Sequence, residues 1–157
     1  MSSAEKTAIV TPRGQGQLLT VLGERVSLKV PGSAVGGRFS LVQIECPPGS
    51  GPPLHVHSRE DEMFYVLKGR LEIRCGSDTL IAEAGDTAVL PVGVPHTFRN
   101  CGNEVAEVLV TMVPGGFEGF FLDIDRLERA GDVAPETVIE VGRKYGLEFL
   151  PDQVPNP

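Results

Sequence analysis

The sequence lacks tryptophan, and its 157 residues include only three cysteines, three histidines and two tyrosines. It also lacks any apolar run near the about 20 residues that a transmembrane helix requires, so we expect no membrane partner. The first ten residues contain no apolar segment of the kind found in secretory signals. The cysteines, Cys46, Cys75 and Cys101, form no CxxC motif and cannot all pair within the chain. Reduced thiols and a cytoplasmic location are therefore predicted.

Positive charge is also scarce, because 14 Lys and Arg residues stand against 21 Asp and Glu residues and leave a net charge of -7. We do not expect such an acidic chain to present a nucleic-acid-binding surface. Glycine and proline, in contrast, are abundant, with 19 and 13 residues spread along the chain. This distribution is typical of many short strands joined by turns, and the length indicates one domain.

Short apolar segments, each bounded by Gly, Pro, Asn or Asp, predict about nine β-strands. They lie at 18–22, 25–30, 38–46, 62–67, 71–75, 79–82, 88–90, 96–99 and 105–113. A turn at Gly23-Glu24 is predicted between the first two strands. The number and spacing of the segments predict an all-β barrel or sandwich.

The pattern becomes helical after residue 114. Apolar residues recur at helical spacing over Phe117–Ala130, and Pro135–Tyr145 has a proline near its start and a glycine after its end. We therefore predict a loose N-terminal arm (1–16), a barrel (17–114) and a helical C-terminal tail packed on the barrel (115–157).

The histidines lie close together in this pattern. His55 and His57 are two residues apart, so in a strand their side chains share one face. Glu62 begins the next apolar segment, where a hairpin would bring its carboxylate beside both imidazoles, and His96 starts another strand. These four side chains form a plausible ligand set for one divalent transition metal per chain, with Fe, Mn, Ni, Co, Cu and Zn all left open.

Glycines and prolines frame the histidines at fixed distances. The first frame is Gly49, His55, His57, Glu62 and Gly69, separated by five, one, four and six residues. The second is Gly85, Pro91, Gly93, His96 and Asn100, separated by five, one, two and three residues. Both frames match the two sequence motifs of the cupin superfamily at every position. The resemblance implies a double-stranded β-helix, or jelly-roll barrel, with the metal inside one mouth.

The segments 51–67 and 114–121 resemble small single-domain cupins of the quercetin-dioxygenase-like type. The resemblance implies a metal-dependent oxidoreductase of the dioxygenase type that acts on a small enolic or aromatic molecule. Two alternatives remain open. One is a cyclase, isomerase or lyase that uses the ion as a Lewis acid, and the other is a non-catalytic module that binds a metabolite or a metal.

Glu62 is both a predicted ligand and the candidate general base of such an enzyme. The side chains expected to line the substrate pocket are those of Phe64, Val66, Phe98 and Met112. We expect Glu60 and Asp61 to face solvent. The tail residues Phe117, Phe120 and Phe121 are interpreted as packing the helix onto the barrel rather than closing its mouth.

The outer face of the Glu62 strand carries Met63, Tyr65 and Leu67, all apolar. A barrel strand normally alternates apolar residues inside with polar residues outside, so this face requires a cover. The resemblance favours a second subunit, and we therefore predict a homodimer.

Overall fold

In the computed structural model, residues 6–151 are described, and they form two antiparallel β-sheets with two helices near the C-terminus. Strands are numbered along the chain. The first sheet has the spatial order β1 (Gln17–Val21), β2 (Glu24–Val30), β3 (Ser40–Cys46), β10 (Ala106–Val113), β5 (Asp61–Lys68) and β8 (Thr87–Leu90). The second has the order β11 (Leu147–Phe149), β4 (His55–His57), β9 (His96–Asn100), β6 (Arg70–Cys75) and β7 (Asp78–Glu83).

All nine predicted strands are present with small shifts at their ends, so the all-β prediction is confirmed. The core lies between the two sheets because the central strands β3, β5 and β10 alternate between buried and accessible positions. On β5, for example, Glu62, Phe64 and Val66 are buried, whereas the residues between them face outward. A shift of one residue in the register of a strand would bury its outward-facing side chains instead of its apolar ones. The register therefore determines which side chains enter the barrel.

The hairpin between β1 and β2 differs from its prediction. Its turn is Leu22-Gly23, both with positive φ, and Glu24 pairs with Val21 as the first residue of β2. The prediction that Glu24 belongs to the turn is therefore wrong. Glycine tolerates positive φ without steric cost, so the turn closes one residue earlier than a Gly-Glu turn would.

The C-terminal segment contains helices α1 (Glu118–Ala130) and α2 (Pro135–Lys144), close to their predicted bounds. Helix α1 packs along β1, where its Asp125 Oδ1 accepts a hydrogen bond of 2.8 Å from the amide of Thr20. The chain then forms β11, which pairs with β4 and which the sequence did not predict. The tail therefore also contributes a strand to the sheet that carries all three histidines.

Residues 6–16 belong to no helix or strand, although the hydroxyl of Thr11 donates to the carbonyl of Lys29 at 2.7 Å. Residues 1–5 of the predicted arm and 152–157 of the predicted tail lie outside the described residues, and the domain boundaries stay predictions. Within 6–151, no helix is both long enough and apolar enough to cross a bilayer.

Candidate metal centre

The four predicted ligands come from three strands. His55 and His57 point inward from β4, which is flanked by β9 and β11, and His96 is the register partner of His55 on β9. Glu62 points inward from β5 of the opposite sheet. All four side chains are buried, between 1% and 7% exposed. The two sheets therefore bring together residues that are up to 41 positions apart, 96 minus 55, in the chain.

The side chains converge on one point. One ligand atom from each of the four residues lies within 4.8 Å of all the others. The Nε2 atom of His96 is 2.7 Å from Oε2 of Glu62, and the Nε2 atom of His57 is 3.5 Å from the same oxygen. This arrangement agrees with the predicted ligand set, and the cluster could hold a metal ion.

The other ring nitrogen of each histidine faces an oxygen acceptor. Nδ1 of His55 lies 2.8 Å from the carbonyl of Pro53, and Nδ1 of His96 lies 3.0 Å from the carbonyl of Val94. A carbonyl only accepts hydrogen bonds, so the proton of a neutral imidazole sits on Nδ1. The Nε2 lone pair of His55 then faces the interior, whereas Nε2 of His96 lies within hydrogen-bond distance of the Glu62 carboxylate, which is a further acceptor. Converging lone pairs of this kind fit a cation.

His55 and Glu62 have the protonation states that a metal requires. Burial, with the nearby His96, lowers the pKa of His55 from 6.5 to about 4. Burial by itself would raise the pKa of Glu62, but the hydrogen bond with His96 and the charge of His57 hold that pKa below its usual value. At neutral pH the cluster thus presents a neutral imidazole at His55 and an ionised carboxylate at Glu62, the forms that bind divalent ions.

The prediction that Glu60 faces solvent is wrong. We expected its side chain in solvent, and the structure buries it to 3% exposure with Oε2 3.5 Å from Nδ1 of His57. Neither atom has another hydrogen-bond partner, and 3.5 Å is long for a hydrogen bond. Asp61 is exposed, as expected, and its Oδ1 accepts from the amide of Val92 at 2.8 Å.

A cavity of about 330 Å³ opens beside the cluster and is lined by His55, His57 and Glu62. Its walls are otherwise mostly apolar, with six phenylalanines: Phe64, Phe98, Phe117, Phe120, Phe121 and Phe149. Two of the four predicted pocket residues line this cavity. Phe64 and Phe98 line the cavity, whereas Val66 and Met112 are fully buried in the barrel core and are not among the lining residues.

The tail closes one side of this cavity. The ring of Phe117 meets the ring of His57 edge-on at 4.5 Å between centroids, and Phe120 and Phe121 line the cavity next to it. These residues pack the helix onto the barrel, as predicted, but they also form a wall of the cavity, so the expectation of packing alone is wrong. β11 adds Leu147 and Phe149 to the cavity wall, and the sequence did not predict either residue there.

Two residues of the glycine and proline frames stabilise the backbone. Gly69 adopts φ of 82° between β5 and β6, and a Cβ there would lie 2.9 Å from Ala106, so a side chain is excluded. The side-chain Nδ2 atom of Asn100 donates to the carbonyls of Cys46 and Glu104 at 2.8 and 2.7 Å. Asn100 therefore stabilises the turn that follows β9.

The chain is similar to a known domain family and to several curated proteins. Residues 42–112 match the family described as Cupin domain. The chain is 29% identical to quercetin 2,3-dioxygenase of Bacillus subtilis (strain 168) over 108 residues, 69% of this chain and 32% of that protein. It is 27% identical to the alginate biosynthesis protein AlgA of Pseudomonas putida over 116 residues, 74% of this chain and 23% of that protein. The chain thus spans about a third or less of these curated relatives.

The fold is also found among solved structures. The structure of KdgF from Halomonas sp. superimposes with a TM-score of 0.64 over 72% of this chain and 99% of that chain, at 18% sequence identity. The double-stranded β-helix that the motifs implied is therefore confirmed.

Proposed function

We propose that this chain, whose residues 42–112 match the Cupin domain family, is a metal-dependent oxidoreductase of the dioxygenase type acting on a small enolic or aromatic molecule. The observation that carries this proposal is the convergence of His55, His57, Glu62 and His96 at the wall of a mostly apolar cavity. A cavity of about 330 Å³ is of the size that small-molecule sites have.

The three imidazoles and one carboxylate would hold one divalent ion per chain. When bound, such an ion would supply positive charge that stabilises an enolate or phenolate oxygen, together with coordination positions for oxygen chemistry. Imidazole and carboxylate ligands accept Fe, Mn, Co, Ni, Cu and Zn, so the ligand set leaves the metal open.

Glu62 is the candidate general base. Its carboxylate lines the cavity and is ionised at neutral pH, so it can accept the proton of an enol or phenol hydroxyl beside the cluster. The surrounding phenylalanine rings make this region apolar. A low local dielectric strengthens the interaction between an anionic substrate oxygen and the positive centre.

The experiment is oxygen uptake combined with metal analysis. Protein purified without added metal is analysed for its elements, then loaded in turn with each candidate ion and screened with enolic and aromatic compounds in an oxygen electrode. Stoichiometric oxygen consumption with loss of the compound supports the proposal. Turnover without oxygen consumption favours the Lewis-acid alternative, and binding without turnover favours the non-catalytic module.

A further inference from the structure

One polar side chain interrupts the apolar wall of the cavity away from the metal cluster. Apart from His55, His57 and Glu62, Glu24 is the one residue with a polar side chain among those that line the cavity within 6–151. Glu24 shares the inward face of β2 with Val26 and Leu28, which are both buried.

The partners of this carboxyl group are neutral and few. Its Oε1 atom accepts a hydrogen bond from the hydroxyl of Ser50 at 3.4 Å, a long distance, and the thiol of Cys46 provides a second contact. A carboxylate offers about four acceptor positions, so capacity remains for a further donor. Burial outweighs these contacts and raises the pKa of Glu24 from 4.5 to about 6. An ionisable group in such surroundings costs stability, which favours a role in binding.

The position of Ser50 limits how far Glu24 lies from the metal cluster. Ser50 contacts Glu24 and precedes His55 by five residues along the chain. Five residues span at most about 18 Å when fully extended. A single elongated small molecule can therefore reach both the cluster and Glu24 within one cavity.

We propose that Glu24 forms a second polar subsite, which binds a hydroxyl or ammonium group of the substrate remote from the oxygen that faces the metal cluster. The inference rests on the proposed function, because it assumes that the cavity holds the substrate. It narrows the substrate class to elongated molecules with an acidic oxygen at one end, an apolar middle and a hydrogen-bond donor at the other end.

The test uses hydroxamic acids as probes, because the hydroxamate group chelates metal ions. Zn²⁺-loaded protein is titrated by calorimetry with two alkyl series of increasing length, one ending in an amine and the other in a methyl group. At one chain length, the amine-terminated probe should bind about tenfold more tightly than its methyl-terminated match, as expected for a hydrogen bond to a charged group.

Variants of Glu24 test whether the amine end of the probe binds to this side chain. In Glu24→Gln the preference for the amine should fall to less than about threefold, and in Glu24→Leu the methyl-terminated probe should bind more tightly. Glu45→Gln is the matched control, because the Glu45 carboxylate pairs with Arg25 on the outer face at 3.3 Å. This control should keep the full preference.

The outcomes distinguish the inference from the proposed function. If methyl-terminated probes bind the Zn²⁺-loaded parent but no length shows a preference for the amine, the Glu24 subsite is wrong and the metal-centred cavity stands. If a preference survives in Glu24→Leu, the donor is bound elsewhere and the inference also fails. If no probe binds the Zn²⁺-loaded parent, the proposed function fails and the inference fails with it.

Discussion

The carboxylate of Glu60 lies 3.5 Å from Nδ1 of His57, and both atoms are buried without any other hydrogen-bond partner. The two other histidines have their Nδ1 atoms next to backbone carbonyls instead. His57 is therefore the one ligand of the cluster whose Nδ1 faces a side-chain carboxyl group instead of a backbone carbonyl. A carboxylate in this position favours the Nδ1–H tautomer and makes Nε2 a stronger donor to a metal.

We expect Glu60→Gln to weaken metal binding by about 10 to 100-fold, the range for lost carboxylates behind histidine ligands. The measurement is the affinity for Co²⁺ by competition with a chelator, followed in the visible spectrum. Glu104→Gln, which changes an exposed carboxylate, is the control and should bind as the parent does. In a His57→Ala background the Glu60 change should have no further effect. An equal loss in that background would contradict the orienting role.

Removal of the metal should destabilise the protein, because an ion that binds only the folded state stabilises it. At free metal of about 100 times Kd, the stabilisation amounts to about 2.7 kcal/mol. Thermal unfolding of metal-loaded protein with and without EDTA measures this effect. In the variant with His55, His57 and His96 all changed to alanine, EDTA should leave Tm unchanged and elemental analysis should find no bound ion. Full stoichiometry in that variant would refute the ligand assignment.

Glu62→Gln tests the base. The amide keeps an oxygen donor but cannot accept the proton, so turnover should fall by about 10² to 10⁴-fold while the metal is retained. Metal content and turnover are measured on the same sample. Unchanged turnover with metal bound would reduce Glu62 to a ligand.

The raised pKa of Glu24 predicts a dependence of stability on pH. Its pKa is about 6 in the folded protein against 4.5 otherwise, so protonation of Glu24 favours the folded state. The stabilisation by protonated Glu24 is complete below pH 4.5 and is lost as the pH rises through about 6. Relative to the parent, metal-free Glu24→Gln should therefore become more stable as the pH rises through this range. The difference in the free energy of unfolding should reach at most about 2 kcal/mol above pH 7. Urea unfolding at several pH values measures it.

The control for this prediction is again Glu45→Gln, which removes an acid from the outer face and should leave the slope with pH nearly unchanged. A constant difference between Glu24→Gln and the parent at every pH would contradict the assigned pKa.

We propose that the outer face of β5 is the interface of a homodimer. Met63, Tyr65 and Leu67 are 41%, 43% and 42% exposed there, and Val89 on β8, the register partner of Met63, is 64% exposed. Contiguous apolar surface of this kind is typical of interfaces. Light scattering at micromolar concentration should give twice the chain mass, and the double variant Met63→Glu, Tyr65→Glu should give the monomer. Leu80→Glu, on the exposed face of β7, should remain dimeric.

Local spacing predicted much of this protein. The strands, the helices and the four candidate ligands follow from short-range patterns, because side chains two residues apart in a strand share a face and glycine marks the turns. His55 and His57 are an example, since their common face is determined by a separation of two in any extended segment.

Tertiary structure decided the surroundings of the cluster. Glu60 is an acidic residue in a polar turn, and nothing in its neighbours along the chain distinguishes it from the exposed Asp61. Its burial depends on where the His57 ring lies. Glu24 faces the cavity because the hairpin closes at Leu22-Gly23, and β11 exists because β4 offers a free edge to the returning tail. The sequence alone thus determined the candidate ligands, whereas long-range packing decided which polar groups surround them, because burial depends on residues distant in the chain.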